Sequence, residues 1–304
     1  MSTYDRRISP RLLALLQPGG SLAFLVDIVR LNAQTRLEFR PGDTVHLYLG
    51  RTSLLETRLR TSGDVEFSSH AEYACLTEEL FGVHSVECVP GLSQRVRDHV
   101  VACQHRASPS FTDGEAVVQT GLMRRYSLNH TTGDPILALD SEIRLAFASV
   151  AARNAHEMRA REILEVGLAP MPRKLDVLGV LPTGDLSLVE VKKDQGDLAK
   201  AALQLAAHAL LFAAVSQQPT LSAVLTAMIK EKILCGLLPP GAFSQVKENS
   251  KFVLTIAAPD RRGDWLSHWK RQLDPVLGRH PNLLNELRLW RLSHDGRIEE
   301  ERRP

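Results

Sequence analysis

Three residues in the stretch Lys174–Lys193, KLDVLGVLPTGDLSLVEVKK, have the types and spacing to do chemistry together: Asp176, Glu190 and Lys192. The stretch reads as a β-hairpin, with an apolar strand, a Pro182-Thr183-Gly184-Asp185 turn and a second apolar strand. Side chains alternate faces along a strand. Leu186, Leu188, Glu190 and Lys192 therefore share one face, and Asp176 shares its face with Leu178 and Val180. Charges set among such apolar neighbours are costly unless paired, hydrogen-bonded or bound to a metal. Neighbouring strands lie about 5 Å apart, which lets Asp176 face Glu190. Two carboxylates at that range repel unless a cation sits between them, and hard oxygen ligands suit Mg²⁺ or Mn²⁺. Lys192, one pleat on, can orient or help deprotonate a water, or offset charge growing on a phosphate. A metal, a water and a lysine together form a set that hydrolyses phosphodiesters.

The elements around the hairpin must position these groups. Asp140 and Ser141 resemble a helix N-cap, with Glu142 in the first turn and Ile143, Phe147, Val150 and Ala151 as the apolar stripe. That helix is expected to end between Asn154 and Leu164, with a short strand at Glu165 to Leu168. After the hairpin a turn at Asp194 to Asp197 leads to a helix capped by Asp197 and running to about Val215. Between Leu198 and Val215 its polar residues are Lys200, Gln204 and His208, spaced four apart and so on one face. A helix at Leu221 to Leu238, a strand at Phe252 to Ala257, a helix at Asp264 to Leu273 and a strand at Leu287 to Leu292 follow. The charged tail after Asp295 is expected to fray. Such mixing implies an α/β layer architecture.

Asp176, then a hairpin, then Glu190-Val191-Lys192 resembles the motif of the PD-(D/E)xK nuclease superfamily over about residues 140 to 260. Leu175 stands where the proline of that motif would be. Gln204-Leu205-Ala206-Ala207-His208 is similar to the Gln-x-x-x-Tyr motif of the RecB-type branch, with histidine for tyrosine. The position of Glu142 is similar to that of the helical glutamate in archaeal Holliday-junction resolvases, with Glu157 and Glu162 as competitors. The resemblance implies a restriction-endonuclease-like mixed sheet flanked by helices. It also implies a Mg²⁺-dependent nuclease, with Mn²⁺ able to substitute and DNA expected ahead of RNA. Asp176, Glu190 and the Val191 carbonyl would hold the metal, with Glu142 helping through water. Lys192 would position the attacking water, and Gln204 would orient Lys192 or meet a backbone phosphate.

Residues 1–125 are expected to form a smaller α+β domain and 126–304 the nuclease-like domain. Two short helices precede Arg36, separated by Pro18-Gly19-Gly20. From Arg36 to Tyr73, short apolar runs alternate with Gly- and Asp-containing turns, predicting an antiparallel meander. A helix is expected at Leu92 to Gln104 and a linker at Ser108 to Glu115. Arg124, Arg125 and Tyr126 form a basic-aromatic cluster able to touch phosphate and stack a base, although such a triplet is more often solvated surface. Lys193, Lys200 and His208 are the other candidate nucleic-acid contacts.

The chain's 304 residues, 44% hydrophobic and 24% charged, suit a soluble globular protein of two ordinary domains. A net charge of +2 permits nucleic-acid binding without arguing for it. The four cysteines form no CxxC pair, and free thiols in a reducing compartment are expected. The apolar run from Leu12 to Leu31 is broken by Pro18-Gly19-Gly20 and by Asp27, so neither a membrane span nor a signal peptide is expected. A cytoplasmic location follows, and a homodimer is one arrangement that double-strand cleavage admits. Two alternatives stay open: a catalytically inactive nucleic-acid-binding or assembly module, and an α/β protein whose charges form a structural network.

Overall fold

The computed structural model describes residues 4–74, 77–106, 114–144, 147, 149–164, 174–192, 195–216, 221–242, 246–248, 250–258, 271, 284–293 and 295–302. The chain divides into two compact units. One comprises Asp5–Thr132 and Ala227–Ala242; the other comprises Met1–Tyr4, Gly133–Thr226 and Phe243–Pro304. Residues 126–132 and 227–242 thus group with the first unit rather than with the hairpin.

The first unit opens with α1 (Pro10–Leu16) and α2 (Ala23–Leu31). Pro10 at the first helical position and the Ser9 hydroxyl, which accepts the Leu12 N–H at 3.2 Å, start α1 as an N-cap should. An antiparallel meander follows: β1 (Thr35–Arg40), β2 (Thr44–Leu49), β3 (Thr52–Leu59), β4 (Val65–Ser68) and, after α3 (Ala71–Ala74), β5 (Gly82–His84). Leu37, Phe39, Val45, Leu47, Leu54, Leu55, Val65 and Phe67 are buried, as their runs predict. Helix α4 (Ser93–His105) matches the expected helix. Helix α5 (Gly114–Tyr126) was not expected, and it carries the Arg124-Arg125-Tyr126 cluster.

The second unit is a mixed α/β layer. Its strands are β6 (Leu137–Ile143), β7 (Leu175–Val180), β8 (Leu186–Val191), β9 (Phe252–Ala258), β10 (Leu284–Leu292) and β11 (Ile298–Arg302). They lie in the order β11-β10-β9-β8-β7-β6. β6, β7 and β8 are antiparallel neighbours, whereas β8, β9 and β10 run parallel and β11 antiparallel. Helix α6 (Val150–Leu164) lies between β6 and β7, and α7 (Gln195–Ser216) leads from β8 toward β9. Helix α7 packs on β8, β9 and α6. Every residue of β6, β7, β8 and β9 is buried, as expected of strands covered on both faces.

Several elements differ from their expected form. Asp140, Ser141 and Glu142 lie on strand β6, and the helix begins only at Val150. Leu137 to Ile143 gains backbone bonds from β7, and that pairing overrides the local cap-like pattern. Helix α7 starts at Gln195, so Asp197 lies inside its first turn and is not its cap. Helix α8 (Leu221–Cys235) stops before Leu238, because Gly236 takes φ +74° and closes a Schellman motif. The Leu237 N–H bonds the Lys232 carbonyl and the Gly236 N–H bonds the Ile233 carbonyl. The charged tail forms β11 rather than fraying, since Glu301 bonds the Trp290 indole at 3.0 Å and Glu299 pairs with Arg291 at 3.0 Å. The expected strand at Glu165 to Leu168 lies outside the described residues, as does the expected helix at Asp264 to Leu273 apart from Arg271.

Candidate active site

The β7–β8 hairpin turns where Gly184 takes φ +80°, and the Leu181 N–H bonds the Asp185 carbonyl at 2.9 Å. Its ladder pairs Val177 with Val189 and Leu178 with Leu188. One step further along both strands brings Asp176 opposite Glu190. On the other side of β7, Ser141 pairs with Val177 and Ile143 with Leu175, so Glu142 falls opposite Asp176. Residues facing one another across a ladder share a face of the sheet. Glu142, Asp176 and Glu190 therefore form one cross-strand row. Asp140, paired with Leu178, lies on the same face one pleat away.

The row is buried, with Glu142 5%, Asp176 3% and Glu190 5% exposed, and Lys192 beside it is 8% exposed. Holding a charge there costs several kcal/mol per ion even after relaxation. Leu186, Leu188, Val189 and Val191 of β8 alone are fully buried, each contributing roughly 1.5–3 kcal/mol. The apolar strand is thus large enough to carry the charges. Their remaining cost is offset by specific partners. The Asp176 Oδ2 accepts the Val191 N–H at 2.9 Å. The Lys192 Nζ lies 2.7 Å from the Glu190 Oε1, so the lysine pairs with one of the two carboxylates read as a metal site. The Lys192 backbone N–H bonds the Ala257 carbonyl of β9 at 2.9 Å, fixing where its side chain leaves the sheet.

Glu142 is not the helical carboxylate of the sequence reading. It sits on β6 with φ +53°, a left-handed conformation uncommon for a residue with a Cβ, and its carboxylate bonds the Lys174 Nζ at 2.8 Å. Of its helical competitors, Glu157 pairs with Arg153 at 3.4 Å on α6 and Glu162 is exposed. Asp140 accepts the Tyr4 hydroxyl at 2.7 Å and the Ser141 N–H at 2.8 Å. Sequence reasoning missed Lys174, Asp140 and Tyr4 as members of this group. No periodicity marks them, and only the β6–β7 register reveals them.

On α7, Gln204 and His208 share a helix face, one turn apart. His208 is 3% exposed. Burial, and to a lesser degree the Lys192 charge, push its imidazole down to about 4, against a hydrogen bond to the Lys174 carbonyl that acts upward. The His208 Nε2 and the Gln204 Oε1 have no hydrogen-bond partner among the described residues. Lys193 and the Lys200 side chain lie outside the described residues. Arg124 and Arg125 belong to the other unit. The Arg124 guanidinium bonds the carbonyls of Val29, Arg30 and Asn32 at 2.9, 3.0 and 3.1 Å, capping the C-terminus of α2, and Arg125 stacks on Tyr126 at 5.9 Å.

The donor set fits a hard divalent cation. Two buried carboxylates share one face of adjacent strands, and the Val191 N–H bonds one of them. Among the described residues, no three His, Cys, Asp or Glu side chains converge as a metal cage. Mg²⁺ commonly needs only one or two carboxylates, completed by waters and substrate phosphates. No described helix is long and apolar enough to cross a membrane. No protein-family model, curated protein or solved structure matches the chain.

Proposed function

We propose that the chain is a Mg²⁺-dependent nuclease hydrolysing phosphodiester bonds, with DNA ahead of RNA as substrate and Mn²⁺ able to replace Mg²⁺. The observation that carries this reading is the buried alignment of Asp176 and Glu190 on adjacent strands, with the Lys192 ammonium 2.7 Å from Glu190. On this reading the mixed sheet has the restriction-endonuclease-like form, and the first unit sets the target or pairs two chains.

Asp176, Glu190 and the Val191 carbonyl would hold the metal; when bound, it supplies Lewis acidity and a water of lowered pKa. Lys192 would orient the attacking water and offset charge on the phosphate. The Val191 N–H fixes the Asp176 carboxylate. Glu142, held by Lys174, supports the site through water from β6. The test is a cleavage panel of duplex, single-stranded and junction DNA and of RNA, with Mg²⁺, Mn²⁺ or EDTA. Metal-dependent cutting of at least one form is expected, and its absence throughout would refute the proposal.

A second reading is favoured by one specific observation. One oxygen of each carboxylate already has a protein donor, Lys192 for Glu190 and the Val191 N–H for Asp176. Protein donors on both carboxylates suit a catalytically inactive nucleic-acid-binding or assembly module. Nucleic-acid binding without cleavage, and no heat on titration with Mg²⁺, would select it.

A further inference from the structure

Ser53, His46 and Glu56 meet on one face of the sheet in the first unit. The register pairs His46 of β2 with Glu56 of β3, and Tyr48 with Ser53. Ser53 and Glu56 are three residues apart, so on a regular strand their side chains would point to opposite faces. The register shifts between Leu47 and Tyr48, leaving Leu54 without a partner on β2, and this extra residue turns Ser53 onto the face of His46. Leu54 is fully buried and its carbonyl accepts the Ser69 hydroxyl at 2.6 Å, so the bulge is anchored.

The contacts run in series. The Ser53 Oγ lies 3.1 Å from the His46 Nδ1, and the His46 Nε2 lies 3.4 Å from the Glu56 Oε2. A carboxylate only accepts hydrogen bonds, which favours the ring proton on Nε2 and leaves Nδ1 to take the serine proton. Burial, then the Arg40 and Arg6 charges, push the imidazole down to about 4, so the ring is neutral at pH 7. Tyr48 stacks on it with ring centroids 6.0 Å apart. Glu38, opposite His46 on β1, is engaged by Lys232 at 2.8 Å, and Glu56 is left as the carboxylate that orients the ring. The His46 and Glu56 side chains are 19% and 43% exposed and Ser53 is half-buried, which opens the group to water and to a small substrate.

We propose that Ser53 is a nucleophile for acyl transfer from small carboxylic esters, with His46 as its general base and Glu56 positioning the ring. A hydroxyl, a base within hydrogen-bond reach and a third group on the base are the parts that such chemistry needs. The Ser53 Oγ attacks the ester carbonyl carbon as its proton passes to the His46 Nδ1. The bond from that carbon to the alcohol oxygen then breaks, and the alcohol leaves with the proton. Water attacks the acyl group while giving a proton to the same nitrogen; the carboxylic acid is released and the proton returns to the Ser53 Oγ. The site lies wholly within the first unit and does not depend on the metal-site reading.

The test is turnover of p-nitrophenyl acetate by the full chain in EDTA, beside labelling with a fluorophosphonate probe mapped by mass spectrometry. Sustained nitrophenolate release is expected, with an adduct on Ser53 and loss of turnover in the labelled protein. Ser53→Ala and His46→Ala should each lower the rate by about 10²-fold or more. Glu56→Gln should lower kcat with KM unchanged, and Glu56→Asp should restore part of it. No release above buffer, release unchanged in Ser53→Ala or His46→Ala, or an adduct only on another residue would overturn the proposal. Where a variant fails to fold, the adduct position in the parent decides.

Discussion

The Asp176 Oδ2 accepts the backbone N–H of Val191 at 2.9 Å, so a carboxylate from β7 supplies the acceptor at the end of β8. Asp176 therefore has two separable roles, one as hydrogen-bond acceptor and one as charge.

Asp176→Asn keeps an acceptor for Val191 and removes the charge opposite Glu190. Its stability without metal is expected to stay within about 1 kcal/mol of the parent, while Asp176→Ala, leaving that N–H buried and unpaired, loses about 1–3 kcal/mol. Mg²⁺ at about a hundred times its Kd should stabilise the parent by about 2.7 kcal/mol and neither variant. Urea denaturation with and without Mg²⁺ measures both effects. An Asn variant as unstable as the Ala variant would point to a structural network instead.

The depressed His208 titration makes the fold acid-sensitive in a defined window. Its folded value of about 4 lies below the ordinary 6.5, so between these pH values the unfolded chain binds the extra proton. Stability is therefore lost as pH falls from 6.5 toward 4, by about 3 kcal/mol from this group. His46, pushed down to about 4 by burial and then by Arg40 and Arg6, adds a loss of the same sign. In His208→Phe the slope of stability against pH should shrink by about one proton in that window. Denaturation midpoints from pH 4 to 7 test this, and an unchanged slope would contradict it.

Arg124 serves α2 through its three carbonyl contacts. Arg124→Ala should cost about 1–3 kcal/mol, within the range for hydrogen bonds to a charged donor, with little change in nucleic-acid affinity of the folded protein. Thermal melts and a binding titration separate the two. A tenfold loss of affinity at unchanged stability would restore a phosphate-contact role.

Gly179 on β7 leaves the space that Ile136 fills. A Cβ there would lie 2.2 Å from the Ile136 Cδ1 and 3.0 Å from the Leu137 carbonyl oxygen. Gly179→Ala should cost about 1–3 kcal/mol through overpacking, with partial recovery in the double variant carrying Ile136→Val. Equal stability of parent and Gly179→Ala would contradict this packing.

Where local pattern and tertiary pairing agree, the elements were legible. The Pro182–Asp185 turn between apolar runs marked the hairpin, and the short runs from Leu37 to Phe67 marked the meander. Asp140-Ser141-Glu142 misled because cap chemistry is local, whereas the β7 partner of this stretch lies more than thirty residues away in sequence. Strand β11 was hidden because Glu299, Glu300 and Glu301 follow no apolar alternation; it is held through side chains of β10. For the candidate site, residue types and strand faces singled out Asp176, Glu190 and Lys192, which the hairpin register sets close together. The Glu190–Lys192 pair and the Lys174–Glu142 contact depend on side-chain directions that spacing does not specify.

The most direct measurement is single-turnover cleavage by the parent and by Lys192→Ala, side by side, on whichever nucleic acid the parent cuts with Mg²⁺. A lysine that positions the attacking water predicts a rate loss of about 10²–10⁴-fold with substrate affinity largely retained. Equal rates for the two proteins, or no metal-dependent cleavage of any DNA or RNA form by the parent, would contradict the account.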